Sequence, residues 1–401
     1  MIRKHFLQMF IQKDKYLVVD LPQGQTKFHY IWLRDHCRCK QCYDHLTIQR
    51  LVNSPEIPLE ISPHHVSASE DGLSVNVVWP DEHQSKYDLK FLANNSYWPP
   101  LNPESGAKIH SGNGKLDKVP WNVEFLKENL PQVEYSKVMD TSTDDGIAEW
   151  CLKIWKYGFC FVNNTPVDPE STKKLIERIA FIRPTHYGGF WDFTSDLSTH
   201  DNAYSDVAIP LHIDNTYFTD PAGLQLFHLL KHTGEGGITT LCDSLHAANI
   251  LKQQNPEYYE ILSKIPVPAH SAGEENVFIQ PSHAKPIINH DNEGNVIQVR
   301  WNTSDRSVMN GLSFKNPETE VPLFYAAIKK WNDIIESKDN EFFHQLKPGQ
   351  CLIFDNWRVF HSRRTSFTGE RRMCGAYINH DDYVSRVKLL NLSRDDLLET
   401  L

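Results

Sequence analysis

The chain has 401 residues, 23% of them charged and 40% hydrophobic, and a formal net charge of -10. That length suffices for one large core plus a small extra domain, and the composition is that of an ordinary soluble protein. The acidic excess argues against nucleic acid as the main partner, and no apolar stretch approaches the ~20 residues a membrane helix needs.

Residues 1–13 carry Arg3, Lys4 and Lys13 with no acid. The stretch is short and lacks serine, so it reads as an ordinary N-terminus, with a cytoplasmic location expected and a mitochondrial one as the alternative. Eight cysteines without a secretory signal suggest a reducing compartment, where clustered cysteines are more often metal ligands than disulfides. Residues 1–105 form the first expected domain, with apolar runs at 16–19 and 73–79 suited to strands. Within it Cys37-x-Cys39-x-x-Cys42 supplies three thiolates, and a histidine would complete a closed tetrahedral Zn²⁺ site of structural type. His36, His45 and His83 are the candidates.

Proline and glycine mark the stretch 96–130, and 106–130 is the expected linker to a domain at 131–401. There the pattern alternates. Residues 143–157 predict a helix with Ile147, Trp150, Cys151 and Ile154 on one face, and 158–162 a strand. Further helices are predicted at 170–182 and 321–337. Strands at 224–230, 239–242, 297–301, 351–354 and 373–378 would build a double-sheet jelly roll. The expected class is therefore α+β, a jelly-roll core with flanking helices behind a small β-rich zinc-binding domain.

The chemistry is carried by His212-Ile213-Asp214 and, about 150 residues later, His361. His-x-Asp followed at long range by a second His is the sequence form of the facial triad that holds Fe(II) and leaves three positions open. Residues i and i+2 of a strand point the same way, which would let His212 and Asp214 grip one ion. Arg371, ten residues past His361, is a natural clamp for the far carboxylate of a small diacid, with its neighbour Arg372 and with Arg363 and Arg364 as competitors.

Triad, Gly236-Gly237-Ile238-Thr239 and then Arg371 is the chain order of the Fe(II)/2-oxoglutarate oxygenases. Ile31–Cys37, Trp79-Pro80-Asp81-Glu82-His83, His212–Phe218 and Phe354–His361 together resemble the γ-butyrobetaine and trimethyllysine dioxygenases across nearly the whole chain. The segments Trp191–Asp196 and Thr216-Tyr217-Phe218 are more similar to the trimethyllysine branch. The resemblance implies hydroxylation of carbon 3 of Nε-trimethyllysine, the first step of carnitine biosynthesis. It implies Fe(II), with 2-oxoglutarate and O₂ as cosubstrates, ascorbate keeping the iron reduced, and a homodimer. Forming carnitine from γ-butyrobetaine is the alternative, and an inactive metal-bound interaction protein the third.

The resemblance also assigns residues. It favours His83 as the fourth zinc ligand, and Thr239 as a second contact to 2-oxoglutarate. Tyr187, Trp191 and Tyr204 match the spacing of an aromatic cage for a trimethylammonium, which cannot donate hydrogen bonds and is held by ring faces. Tyr377 matches a pocket tyrosine, and Asn302 a polar residue serving the substrate carboxylate. Asp201 stands where the γ-butyrobetaine enzymes have an asparagine. A carboxylate there would attract the α-ammonium that trimethyllysine has and γ-butyrobetaine lacks.

Overall fold

A computed structural model describes residues 10–101, 116–194 and 208–398. The chain divides into two compact units, 1–115 with 393–401, and 116–392.

The first unit holds two three-stranded antiparallel sheets. One is built from Phe10–Gln12, Tyr16–Leu21 and Gly24–His29, the other from His65–Ala68, Ser74–Val78 and Gln84–Asp88. Its core gathers Leu17, Val19, Phe28, Leu33, Val75, Val77, Trp79 and Tyr87.

In the second unit seven strands form a major sheet. Its order is Ile182–Arg183, Arg371–Ile378, Leu224–His232, Cys351–Asp355, Phe159–Asn163, Gln132–Glu134, and Trp191–Thr194 also pairs with Arg371–Ile378. A minor sheet runs Ile209–His212, Val359–Arg363, Thr239–Asp243, Phe342–His344. Side-chain alternation explains the layers. Phe159 and Phe161 pack with Leu352, Phe354, Leu241 and Val359 between the sheets, whereas Cys160, Val162 and Ile353 face helices on the other side of the major sheet. Those helices include Asp145–Tyr157, whose apolar stripe is the predicted one, and His380–Asn391. Behind the minor sheet, Cys242 and Phe360 meet Ser244–Gln254, Pro256–Lys264 and Pro317–Ile335. Two sheets, antiparallel except for the parallel pair Gln132–Glu134 with Phe159–Asn163, and their flanking helices are consistent with the expected jelly roll.

Three expectations need correction. Residues 116–130 are not linker but part of the second unit: Trp121 is buried there and its indole bonds to the Tyr157 carbonyl. The predicted helix at 170–182 is Pro169–Glu177, followed by Ile182–Arg183 on the edge of the sheet. The predicted strand at 297–301 joins neither main sheet. Val296–Val299 pairs with Ile288–His290, and the Val299 N–H goes to the Trp357 carbonyl.

A buried ion pair ties the second unit together. The Arg358 guanidinium donates to both Asp243 oxygens at 2.9 Å, and also to the carbonyls of Lys156 and Val119. Asp243 in turn accepts from the N–H groups of Trp121 and Leu245. Arg358→Met leaves that carboxylate buried without its cation. The expected loss of stability is about 3–5 kcal/mol, read as a fall in the urea midpoint; an unchanged midpoint contradicts this account.

Candidate metal centres and cavity

The triad is assembled by strand pairing. Val359–Arg363 lies between Ile209–His212 and Thr239–Asp243, and His212 stands directly across from His361. The two imidazole centroids are 4.2 Å apart. Asp214 is not on the strand, which ends at His212, so strand alternation does not position it. Instead Asn356, fully buried, clamps the turn. Its Oδ1 accepts from the Asp214 N–H at 2.9 Å, and its Nδ2 donates to the carbonyls of Asp214 and Ala222, both at 3.0 Å. Asn215 follows at φ 59°, a left-handed conformation that asparagine tolerates better than most residues.

His212 Nε2 lies 3.1 Å from Asp214 Oδ1, and His361 Nε2 lies 3.8 Å from Asp214 Oδ2. Ligands about 2.1 Å from one ion at right angles are roughly 3 Å apart, so the set fits a facial triad. His212 Nδ1 bonds to the Pro210 carbonyl at 2.9 Å, which as a donor leaves Nε2 for a metal. Burial disfavours charge on Asp214, but His361, His212 and the Tyr377 hydroxyl outweigh it and hold the carboxyl well below its usual range. Burial and the neighbouring His212 push His361 down to about 3. An anionic carboxylate and a neutral imidazole are the states that metal binding requires.

These groups open into a cavity of about 510 Å³. Arg371–Ile378 sends Arg371, Met373 and Tyr377 into it, and turns Arg372 outward onto Asp192, at 2.8 and 2.5 Å. Of the competing arginines, Arg371 and Arg363 face the cavity and Arg372 does not. Arg371 is buried; burial and nearby Arg363 lower its pKa to about 10, so it stays charged at neutral pH. Its Nε has no hydrogen-bond partner among the described residues, a setting suited to a ligand carboxylate. Gly237 adopts φ 65°, and a Cβ there would stand 3.3 Å from Arg371 Nε. Thr239 is cross-strand from Arg363 and also lines the cavity.

Of the expected cage, Tyr187 and Trp191 line the same cavity, and Tyr204 and Asp201 lie outside the described residues. Trp191 meets Tyr377 edge to face at 5.6 Å, and Tyr187 shares a 3.2 Å hydroxyl contact with Tyr217. The approach of Trp191 depends on Gly375, where a Cβ would come within 2.3 Å of the indole. Tyr377 does more than line the pocket: its hydroxyl donates to Asp214 Oδ2 at 2.9 Å. Asn302 is present at the cavity, with Asp305 and Tyr217 beside it. Sequence reading missed the work of Asn356, Tyr217 and Asp305. Asn356 sits within the motif that delivers His361, but its contacts are some 140 residues away in sequence.

In the first unit Cys37, Cys39 and Cys42 place their sulfurs 3.4, 3.5 and 3.4 Å from His83 Nε2. Tetrahedral Zn–S and Zn–N bonds of ordinary length set such atoms about 3.6 Å apart, so the cluster fits zinc. Cys37 follows the helix Tyr30–Asp35, and His83 sits in the turn entering Gln84–Asp88. His36 and His45 are engaged elsewhere, with the carbonyls of Trp32 and Arg38. Burial and Cys37 push the Cys42 thiol up to about 12, a cost that a bound dication reverses.

Residues 121–377 match the family described as Taurine catabolism dioxygenase TauD, TfdA family, and residues 9–93 match Gamma-butyrobetaine hydroxylase-like, N-terminal. Trimethyllysine dioxygenase of Meyerozyma guilliermondii is 54% identical over 94% of this chain and 94% of its own length. The human protein named trimethyllysine dioxygenase, mitochondrial, is 37% identical over 95% of this chain and 87% of its own. Gamma-butyrobetaine dioxygenase of Pongo abelii is 28% identical over 92% of both.

Two outcomes follow from this geometry. Tyr377→Phe removes the bond to Asp214 and should weaken Fe(II) affinity on the order of 10- to 100-fold; titration with Fe(II) under argon reads it, and unchanged affinity contradicts the role. Cys42→Ser should lower both bound zinc and thermal stability. Native protein free of zinc by elemental analysis defeats that assignment.

Proposed function

Because the chain belongs to the TauD/TfdA dioxygenase family, we propose that its cavity houses an Fe(II)- and 2-oxoglutarate-dependent hydroxylation. The substrate is Nε-trimethyllysine, hydroxylated at carbon 3, and the product enters carnitine biosynthesis. The observation that carries this reading is 54% identity to a trimethyllysine dioxygenase over 94% of both chains, joined to a complete triad.

His212, Asp214 and His361 would hold iron, which when bound supplies oxygen activation coupled to conversion of 2-oxoglutarate to succinate and CO₂. The remaining work belongs to this chain's own side chains. Arg371 pairs with the far carboxylate of 2-oxoglutarate, and Thr239 adds a hydrogen bond. Tyr377 keeps Asp214 turned toward the metal position. Tyr187, Trp191 and Tyr377, with Tyr204, surround the trimethylammonium by ring faces. Asn302 and Asp201 take the amino-acid end. Holding an extended substrate at both ends places one C–H bond over the metal, so distance becomes regiochemistry. Ascorbate would keep bound iron reduced. Cys37, Cys39, Cys42 and His83 hold zinc as a structural tether in the first unit, and the chain acts as a homodimer. No helix among the described residues is long and apolar enough to cross a membrane. The names of the animal relatives favour the mitochondrial alternative to a cytoplasmic location.

Side-by-side assay of trimethyllysine and γ-butyrobetaine, with products weighed by mass spectrometry, tests the function. Hydroxytrimethyllysine should dominate; better use of γ-butyrobetaine overturns it. His212→Ala, Asp214→Ala and His361→Ala should each abolish turnover. Arg371→Leu should raise the KM for 2-oxoglutarate far more than that for the amine, and a larger amine defect would contradict its assignment.

A further inference from the structure

Asp305 is a charged group in the cavity to which the reading above gives no task. Among the described lining residues, Asp305 and Asp214 are the carboxylates, set against Arg363 and Arg371. Asp214 is committed to the metal. Asp305 Oδ2 accepts from Thr216 Oγ1 at 3.1 Å and from Asn302 Nδ2 at 2.9 Å. These donors come from separate segments, the turn after the His-x-Asp pair and the loop after Trp301. Asn302 is itself oriented, because its Oδ1 accepts the Ser304 N–H at 2.9 Å. The carboxylate is thus held in place by two side chains, of which Asn302 also lines the cavity.

The walls differ in chemistry. Trp191, Phe193, Phe227 and Tyr377, from the major sheet, present rings, which suit a cation without N–H groups. Asp305 and Asn302, from the loop, present an oriented acceptor and an oriented amide, which suit a primary ammonium beside a carboxylate. Resting on the trimethyllysine reading, we propose that Asp305 is a specificity-determining residue that accepts N–H bonds from the substrate's α-ammonium. The cavity then selects an amino acid over the same chain without its amine.

The test uses the iron-loaded full chain and three compounds: Nε-trimethyllysine, 6-(trimethylammonio)hexanoate, which lacks the α-amine, and Nα-acetyl-Nε-trimethyllysine, which lacks its charge. Wild type should prefer trimethyllysine to both others. Asp305→Asn can keep both acceptor bonds without the charge. It should lower kcat/KM for trimethyllysine on the order of 10- to 100-fold, mainly through KM, and not lower it for the hexanoate. Asp305→Glu should retain the preference. Equal losses on trimethyllysine and the hexanoate, or an unchanged ratio, overturn the proposal. So does wild type that uses the hexanoate or the acetylated compound as well as trimethyllysine, a result independent of how any variant folds. Wild type that leaves trimethyllysine untouched sinks the function itself, which is a separate result.

Discussion

The site depends on one strand pairing. Val359–Arg363 lies between Ile209–His212 and Thr239–Asp243, and that placement sets His361 opposite His212 and Arg363 opposite Thr239. A one-residue slip would turn His361 toward the helices behind the minor sheet, where Phe360 now packs. Register is held by the core on one side and by Arg358 on the other, since Arg358 enters the strand already bonded to Asp243. Asp243 ends Thr239–Asp243 and caps the helix after it. Core packing, ion pair and metal position are therefore parts of one constraint.

The third member of the triad is held differently. Asp214 lies in a turn beyond the strand, where a carboxylate on a mobile loop would lose affinity for a metal. Three hydrogen bonds to the buried Asn356 amide, two of them to the Asp214 backbone, replace the sheet as its support. Tyr377 then fixes the side chain. Tyr377 in turn shares a face with Arg371 because both are odd members of one strand. A single alternation thus places the candidate cosubstrate clamp, the carboxylate's partner and the ring that meets Trp191.

Charge in the cavity is sorted as well. Arg371 and Arg363 flank Phe367 at 5.5 and 5.3 Å, near Thr239. Asp305 and Asn302 stand on the loop that follows Trp301. The cationic and the Asp305 regions of the cavity thus lie on different elements.

Local pattern determined much of this by itself. The stripe Ile147, Trp150, Cys151 and Ile154 specified its helix, and short apolar runs specified strands within Cys351–Asp355 and Arg371–Ile378. The types and order of His212, Asp214, His361 and Arg371, and the Cys37-x-Cys39-x-x-Cys42 spacing, were legible because ligand chemistry restricts residue choice. The helix predicted across 170–182 overran its end, since nothing local announced that Ile182 would meet Ile378. Only the tertiary structure showed that Arg371 faces the cavity and Arg372 Asp192, that His83 lies among the three cysteines, and what Asn356, Tyr377 and Asp305 touch. Those choices rest on hydrogen bonds between segments far apart in the chain. A buried amide or carboxylate looks the same in sequence as an exposed one until the fold supplies its partners.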